Sequence, residues 1–122
     1  MEGIAYIINQ YRQAAFLQGQ ATLIGDYKNG NRHSDIIVEC YIKLRTIGVE
    51  AIEQLAVLLT DEDDNVISWA ATHLLPYYEK RSIEALTSVS TKPGIIAFSA
   101  EIALNEWRKG TLNLEYLQYK KK

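Results

Sequence analysis

Apolar side chains recur at helical spacing through nearly the whole chain. In the first segment, five of them follow at i, i+3, i+4, i+7 and i+11: Ile4, Ile7, Ile8, Tyr11 and Ala15. This spacing places all five on one face of an α-helix, whereas a half-buried strand would alternate apolar and polar residues. The pattern predicts a first helix from about Glu2 to Ile24.

Glycines and prolines divide the rest of the chain into similar segments. Only two prolines and seven glycines occur in 122 residues, which favours long helices over many short strands. The periodicity predicts five more helices: one that ends at Gly48, one from Val49, one from Val66 to Pro76, one over Glu79–Val89 and one from Pro93 to Gly110. We therefore expect an all-α fold of about six helices.

The sixth predicted helix carries apolar residues on two faces. Ile95, Phe98 and Ile102 share one face, Trp107 follows near the end of the helix, and a second set lies on another face: Ile96, Ala100, Ala103 and Leu104. A helix that is apolar on several sides is usually buried on several sides. We expect this helix to be covered on more than one side.

An internal repeat indicates how the helices are arranged. The segment VISWAATHLL from Val66 matches IIAFSAEIAL from Ile95 at an offset of 29 residues, and the preceding helices agree at an offset of 31. Helix pairs that repeat at such a length are typical of α-solenoids. We expect one domain, residues 1–122, of three stacked antiparallel hairpins, with a generic helical bundle as the alternative. Residues 111–122 form a short tail that either folds back as a cap or frays.

Two blocks of sequence resemble known families. The segment LAVLLTDEDDNVISWAATHLLPYY resembles a HEAT repeat, and together with AEIALNEWRKGTL it resembles a family of small bacterial helical domains that has no established chemistry. The likeness covers about Asn31 to Leu112 and implies a HEAT-like α-α superhelix. HEAT helices commonly carry arginine after the valine, where this chain has Ile67. More loosely, the chain resembles helical-repeat immunity proteins that neutralise secreted toxins.

Charge and cysteine content limit the partners and the compartment. The formal charge is −2, and without the lysines at 120–122 the remaining chain carries −5. No internal basic cluster is present, so we expect no direct binding of nucleic acid. The lone Cys40 lies on an apolar stripe and predicts an inert core thiol in a cytoplasmic protein. The absence of any apolar run of about 18 residues predicts no membrane insertion.

No pattern of catalytic or ligand-binding residues stands out. His33 and His73 are far apart and lack a partner at metal-binding spacing. A calcium loop begun at Asp61 would have Val66 where glycine is needed and Thr72 where glutamate must ligate. Since glycine-rich phosphate loops are also missing, we expect a non-enzymatic protein with no catalytic residue, no metal site and no cofactor.

The residues that we predict to bind a partner are an acidic turn and a tyrosine-containing segment: Asp61, Glu62, Asp63, Asp64, Tyr77, Tyr78 and Glu79. Carboxylates can steer a basic partner, and tyrosine is favoured at interfaces. The alternative roles are structural: the acidic turn caps a helix, and one tyrosine packs in the core while the other points outward. Given the acidic charge, we expect a protein–protein interaction module, most specifically an immunity protein that blocks a basic toxin such as a nuclease.

Two other functions remain open at this stage. The first is a structural or regulatory scaffold subunit that self-associates through an uncovered first helix, with Ile4, Ile7, Ile8 and Tyr11 partly exposed. The second is a small enzyme or ligand-binding domain that uses His73 and a carboxylate in a groove between hairpins. The oligomeric state is left open.

Overall fold

The computed structural model describes residues 3–116, and helices are the only regular secondary structure in that range. Its six α-helices, in chain order, are α1 Ile4–Leu23, α2 Tyr27–Ile47, α3 Val49–Leu55, α4 Asp64–Leu74, α5 Glu79–Ser90 and α6 Ile95–Lys109. A 3-10 segment, Ala56–Thr60, continues α3. No β-strand occurs between residues 3 and 116, and the expected all-α fold is confirmed.

Local capping explains several of the helix ends. The Asp26 side chain accepts a hydrogen bond from the backbone of Asn29 at the start of α2. The Asp63 side chain does the same for Val66 at the start of α4, which satisfies a backbone donor that the helix itself cannot use. Gly110 ends α6 in the left-handed region at φ 76°, a conformation that glycine adopts without strain.

The helices form three consecutive pairs: α1 with α2, α3 and its 3-10 segment with α4, and α5 with α6. Helix α4 is central, because it contacts α1 from the first pair and both helices of the last pair. The core between the pairs is built from large side chains with almost no exposure, among them Ile7, Tyr11, Ile37, Tyr41, Leu44, Leu55, Leu74 and Leu86.

Helix α6 differs from the sequence prediction, because its face made by Ile95, Phe98 and Ile102 is uncovered. These side chains are 49%, 59% and 43% exposed. Their counterparts in the repeat, Val66 and Trp69 of α4, are buried and half-buried. The physical reason is position: α4 lies between two helix pairs, whereas α6 belongs to the last pair and packs mainly on α4 and α5.

Two residues of α1 are more buried than a self-associating surface requires. Ile7 and Tyr11 are almost fully buried and belong to the core. The expectation of partial exposure is therefore wrong for these two residues, whereas Ile4 and Ile8 are partly exposed. Cys40 is buried, as predicted.

Residues 111–116 fold back as a strap across the other helices. The Arg45 guanidinium of α2 donates hydrogen bonds to the backbone oxygens of Leu114 and Glu115, at 2.9 and 3.0 Å. Leu114 is buried, and the Tyr116 hydroxyl lies 2.9 Å from Nε2 of His73 in α4. Of the two alternatives for the tail, folding back holds for residues 111–116, while the lysines at 120–122 lie outside the described residues.

No helix within residues 3–116 is both long enough and apolar enough to cross a membrane.

Candidate functional site

Three of the four carboxylates of the acidic turn make hydrogen bonds or ion pairs within the fold. Arg12 of α1 holds Asp61 through two hydrogen bonds of 2.7 and 3.1 Å, and Lys92 holds Asp64 at 2.9 Å. Asp63 caps α4, which confirms the capping role. Glu62 is exposed. Two cations thus neutralise two of four carboxylates, and the turn keeps a local charge of about −2.

The pKa of Asp61 reflects this environment. Burial raises the pKa of its carboxyl, but hydrogen bonds from Arg12 and from the backbone of Asp63 outweigh that effect. The pKa of Asp61 therefore lies below its usual value, and the carboxylate remains charged at neutral pH.

The tyrosine-containing segment lies at the opposite end of α4. Tyr77 is exposed, while Tyr78 packs partly against the core, as the structural alternative predicted. Glu79 accepts a hydrogen bond of 2.8 Å from the Trp107 indole. Because the 11 residues of α4 span about 16 Å, the structure does not bring this segment beside the acidic turn.

His73 does not face a groove. Its side chain is fully buried, with the Tyr11 hydroxyl 2.7 Å from Nδ1 and the Tyr116 hydroxyl at Nε2. The Tyr41 ring stacks on the imidazole with the ring centroids 4.1 Å apart. Burial, with a smaller contribution from the charge of Arg45, lowers the pKa of His73 to about 3. Since tyrosines occupy both ring nitrogens, His73 is part of the core and is not available to a ligand.

A polar cleft lies at the junction of α1, α4 and α6, near the acidic turn. Its volume is about 190 Å³, and we call it the Trp69 cleft. Its lining contains hydroxyl, amide and apolar groups and no ionisable side chain: Gln18, Thr22, Asn65, Ser68, Trp69, Thr72, Ile96 and Ser99. All three helix pairs meet here, since α1, α4 and α6 each contribute.

A hydrogen-bond network fixes one wall of the Trp69 cleft. Gln18 Oε1 accepts from Asn65 Nδ2 at 2.7 Å and from the Trp69 indole nitrogen at 3.0 Å. Asn65 Nδ2 also donates to the Ala15 carbonyl at 2.7 Å. Gly19 permits this approach, because a Cβ there would lie 2.9 Å from Asn65 Cβ. The side chains of the cleft wall are therefore held in place before anything binds.

The uncovered apolar face of α6 borders the cleft. We call Ile95, Phe98 and Ile102 the α6 stripe. Ser99, which lines the cleft, lies one helical turn from both Ile95 and Ile102. The cleft thus has exposed apolar residues beside it on α6.

A larger groove of about 680 Å³ lies between α1 and the α3 segment. Of its polar residues, Arg12 is held by Asp61, while Asn9 and Gln54 are solvent-exposed. Exposed polar groups are hydrated already, so this groove lacks the buried hydrogen-bonding wall that distinguishes the Trp69 cleft. We therefore take the Trp69 cleft and the α6 stripe as the candidate site.

Sequence reasoning missed most of this site. It named Phe98 and Ile95 only as residues of a helix expected to be covered, and it did not single out Gln18, Asn65, Ser68 or Trp69. One signal was available: Ser68 is a polar residue within the otherwise apolar run from Val66 to Ala71, Asn65 directly precedes that run, and buried polar side chains require partners.

Comparison with known proteins informs the fold. A scan against protein-family models and a search of curated proteins found no match. The solved crystal structure of the protein RPA1889 from Rhodopseudomonas palustris CGA009 is similar, with a TM-score of 0.85 over 93% of this chain and 94% of that one. The two sequences are 18% identical, so this likeness shows the fold alone.

Proposed function

We propose that this chain is a non-enzymatic protein-binding module whose interaction face combines the α6 stripe with the Trp69 cleft. The observation that supports this proposal most strongly is the exposure of Ile95, Phe98 and Ile102 directly beside a hydrogen-bonding cleft. Protein interfaces typically join an apolar centre to a limited number of well-placed polar groups.

The charge around this face favours a basic partner. The Asp64–Lys92 ion pair links the acidic turn to the loop that leads into α6, so both lie at the same end of the molecule. The remaining charge of about −2 on the turn would accelerate encounter with a positive surface. A basic toxin domain neutralised in the cytoplasm fits this chemistry, and we retain the immunity function as the specific form of the proposal.

The stripe can be tested by capture of partners from the source cells. Phe98→Asp places a charge in the middle of the α6 stripe, and Val57→Asp is a matched control on an apolar residue that is 62% exposed in the 3-10 segment. We expect the wild type and Val57→Asp to capture the same partner and Phe98→Asp to lose it. If Phe98→Asp captured it equally well, the stripe would not be the interface.

The acidic turn requires a different variant. Reversal of Asp61, Asp63 or Asp64 would break an ion pair or a helix cap, so loss of binding could reflect loss of folding. Glu62 is exposed and makes none of these contacts, which makes Glu62→Lys the cleaner test. We expect weaker partner binding at low salt and a smaller salt dependence, with Glu84→Lys on α5 as the control. Unchanged affinity and salt dependence would remove the electrostatic part of the proposal.

A further inference from the structure

We propose that the Trp69 cleft is the anchor pocket of this interaction face and that it takes one uncharged aromatic side chain with a hydrogen-bond donor, a tyrosine phenol, from the partner. This inference rests on the proposed function. It is carried by the polar atoms, the size and the charge of the cleft.

Two buried polar side chains in the cleft wall have unused hydrogen-bonding atoms. Both Asn65 Nδ2 hydrogens are used, toward the Ala15 carbonyl and Gln18 Oε1, and neither acceptor can donate in return. The amide orientation is therefore fixed, and within residues 3–116 Asn65 Oδ1 has no hydrogen-bond donor. The Ser68 hydroxyl likewise has no hydrogen-bond partner in that range, and neither of these two oxygens is sealed from solvent. These residues are only 7% and 8% exposed.

Such groups favour an occupant with hydrogen-bonding atoms of its own. An occupant that covers these oxygens removes their water, and an acceptor that loses water without a replacement bond is costly. An occupant can donate a hydrogen bond to Asn65 Oδ1, and it can accept one from the Ser68 hydroxyl. A phenol hydroxyl can donate to the first and accept from the second, whereas an indole N–H can only donate.

The size of the cleft separates a side chain from a cofactor. A volume of about 190 Å³ is smaller than the roughly 300–1,000 Å³ typical of small-molecule sites. One ring-sized group can fill this space.

The charge and shape of the cleft select the type of side chain. None of the eight lining residues is ionisable, so a lysine, arginine or carboxylate anchor would be buried without a countercharge. The Trp69 ring and Ile96 supply apolar surface, and the hydrogen bond to Gln18 holds the indole in place. Aromatic rings pack favourably on such a surface, and tyrosine is enriched among the residues that dominate binding energy.

The test uses the full chain and three small probes followed by NMR. The probes are 4-methylphenol, 4-methylanisole, which lacks the donor, and benzylammonium, which carries a charge. We expect 4-methylphenol to shift the Trp69 indole N–H and Ser68 amide signals with a Kd in the millimolar range. We expect 4-methylanisole and benzylammonium to bind at least several-fold more weakly.

Matched serine variants locate the effect. Ser68→Ala removes the unpartnered hydroxyl, and Ser88→Ala removes an exposed hydroxyl on α5. We expect Ser68→Ala to weaken 4-methylphenol binding about threefold or more and Ser88→Ala to leave it unchanged. Equal binding of phenol and anisole, shifts that map elsewhere, or a cleft that responds to no probe would overturn the proposal.

These results are separable from the test of the proposed function. If Phe98→Asp loses the partner but no probe enters the cleft, the anchor proposal fails while the binding module stands. If the probe binds as expected but Phe98→Asp keeps the partner, the cleft is a phenol site and the interface lies elsewhere.

Discussion

Tyr11 and His73 are 62 positions apart in sequence and share a hydrogen bond of 2.7 Å inside the core. Tyr116 contacts the other imidazole nitrogen at 2.9 Å. A neutral imidazole donates through one nitrogen and accepts through the other, so one of the two tyrosines donates and the other accepts. A protonated imidazole could only donate, and no carboxylate is among its hydrogen-bond partners within residues 3–116 to compensate the charge.

His73 should therefore make the fold sensitive to mild acid. Its pKa falls from about 6.5 in the unfolded chain to about 3 in the folded protein, so between these values only the unfolded chain takes up the proton. The contribution to stability is complete above pH 6.5 and is lost progressively as the pH falls toward 3. We expect the free energy of unfolding to drop by about 2–3 kcal/mol between pH 6.5 and 4.5.

Urea denaturation across this pH range provides the measurement. His73→Gln removes the titrating group and should flatten the pH dependence, although it destabilises the protein at pH 7. His33→Gln is the matched control and should retain the wild-type slope. Parallel slopes for the wild type and His73→Gln would show that His73 does not drive acid unfolding.

Gly19 should be intolerant of any side chain. A Cβ at this position would lie 2.9 Å from Asn65 Cβ and would push α1 away from α4. We expect Gly19→Ala to lower the free energy of unfolding by about 1–3 kcal/mol despite the better helix propensity of alanine. Gly30→Ala is the control, because its Cβ would meet only Ala21 Cβ at 3.6 Å, and it should stabilise α2 by about 0.5–1 kcal/mol. The opposite order in thermal denaturation would contradict this account of the α1–α4 contact.

Local periodicity was enough to predict the helices, but it could not reveal which neighbour covers each face. Phe98 has the same spacing as buried residues, and its exposure depends on whether another helix pair follows α6. The hydrogen-bond partners of His73 and Asn65 lie about 50–60 positions away in sequence, so local spacing could not predict them. These partners are Tyr11, Ala15 and Gln18. The capping role of the acidic turn was easier to predict, because the hydrogen bond by which Asp63 caps α4 is a local interaction. The HEAT-like assignment stays a prediction.

The strap over residues 111–116 should depend on Arg45. Arg45→Gln removes two charge-assisted hydrogen bonds to the Leu114 and Glu115 carbonyls. We expect a loss of about 1–2 kcal/mol and faster hydrogen exchange in the strap. Arg32→Gln is the control, because its hydrogen bond to Asn29 is exposed and lies within one helix. Equal exchange rates in both variants would show that the strap is held by its apolar contacts alone.

The α6 stripe should contribute little to the stability of the isolated chain. Phe98 is 59% exposed, so we expect Phe98→Asp to change the free energy of unfolding by less than about 1 kcal/mol. Light scattering of both proteins at raised concentration separates two uses of the stripe. A wild-type dimer that becomes monomeric in Phe98→Asp would favour the scaffold function over a binder of other proteins.

The strap also affects how the three helix pairs can unfold. In an open array of repeats, each unit touches only its neighbours, and a terminal unit can unfold by itself. Here the segment that follows the last pair accepts two hydrogen bonds from Arg45 of the first pair. The two backbone oxygens that accept them lie 69 and 70 positions after Arg45 in sequence. The last pair cannot unfold separately while these hydrogen bonds are intact. We therefore expect the molecule to unfold in one cooperative transition and not from its ends.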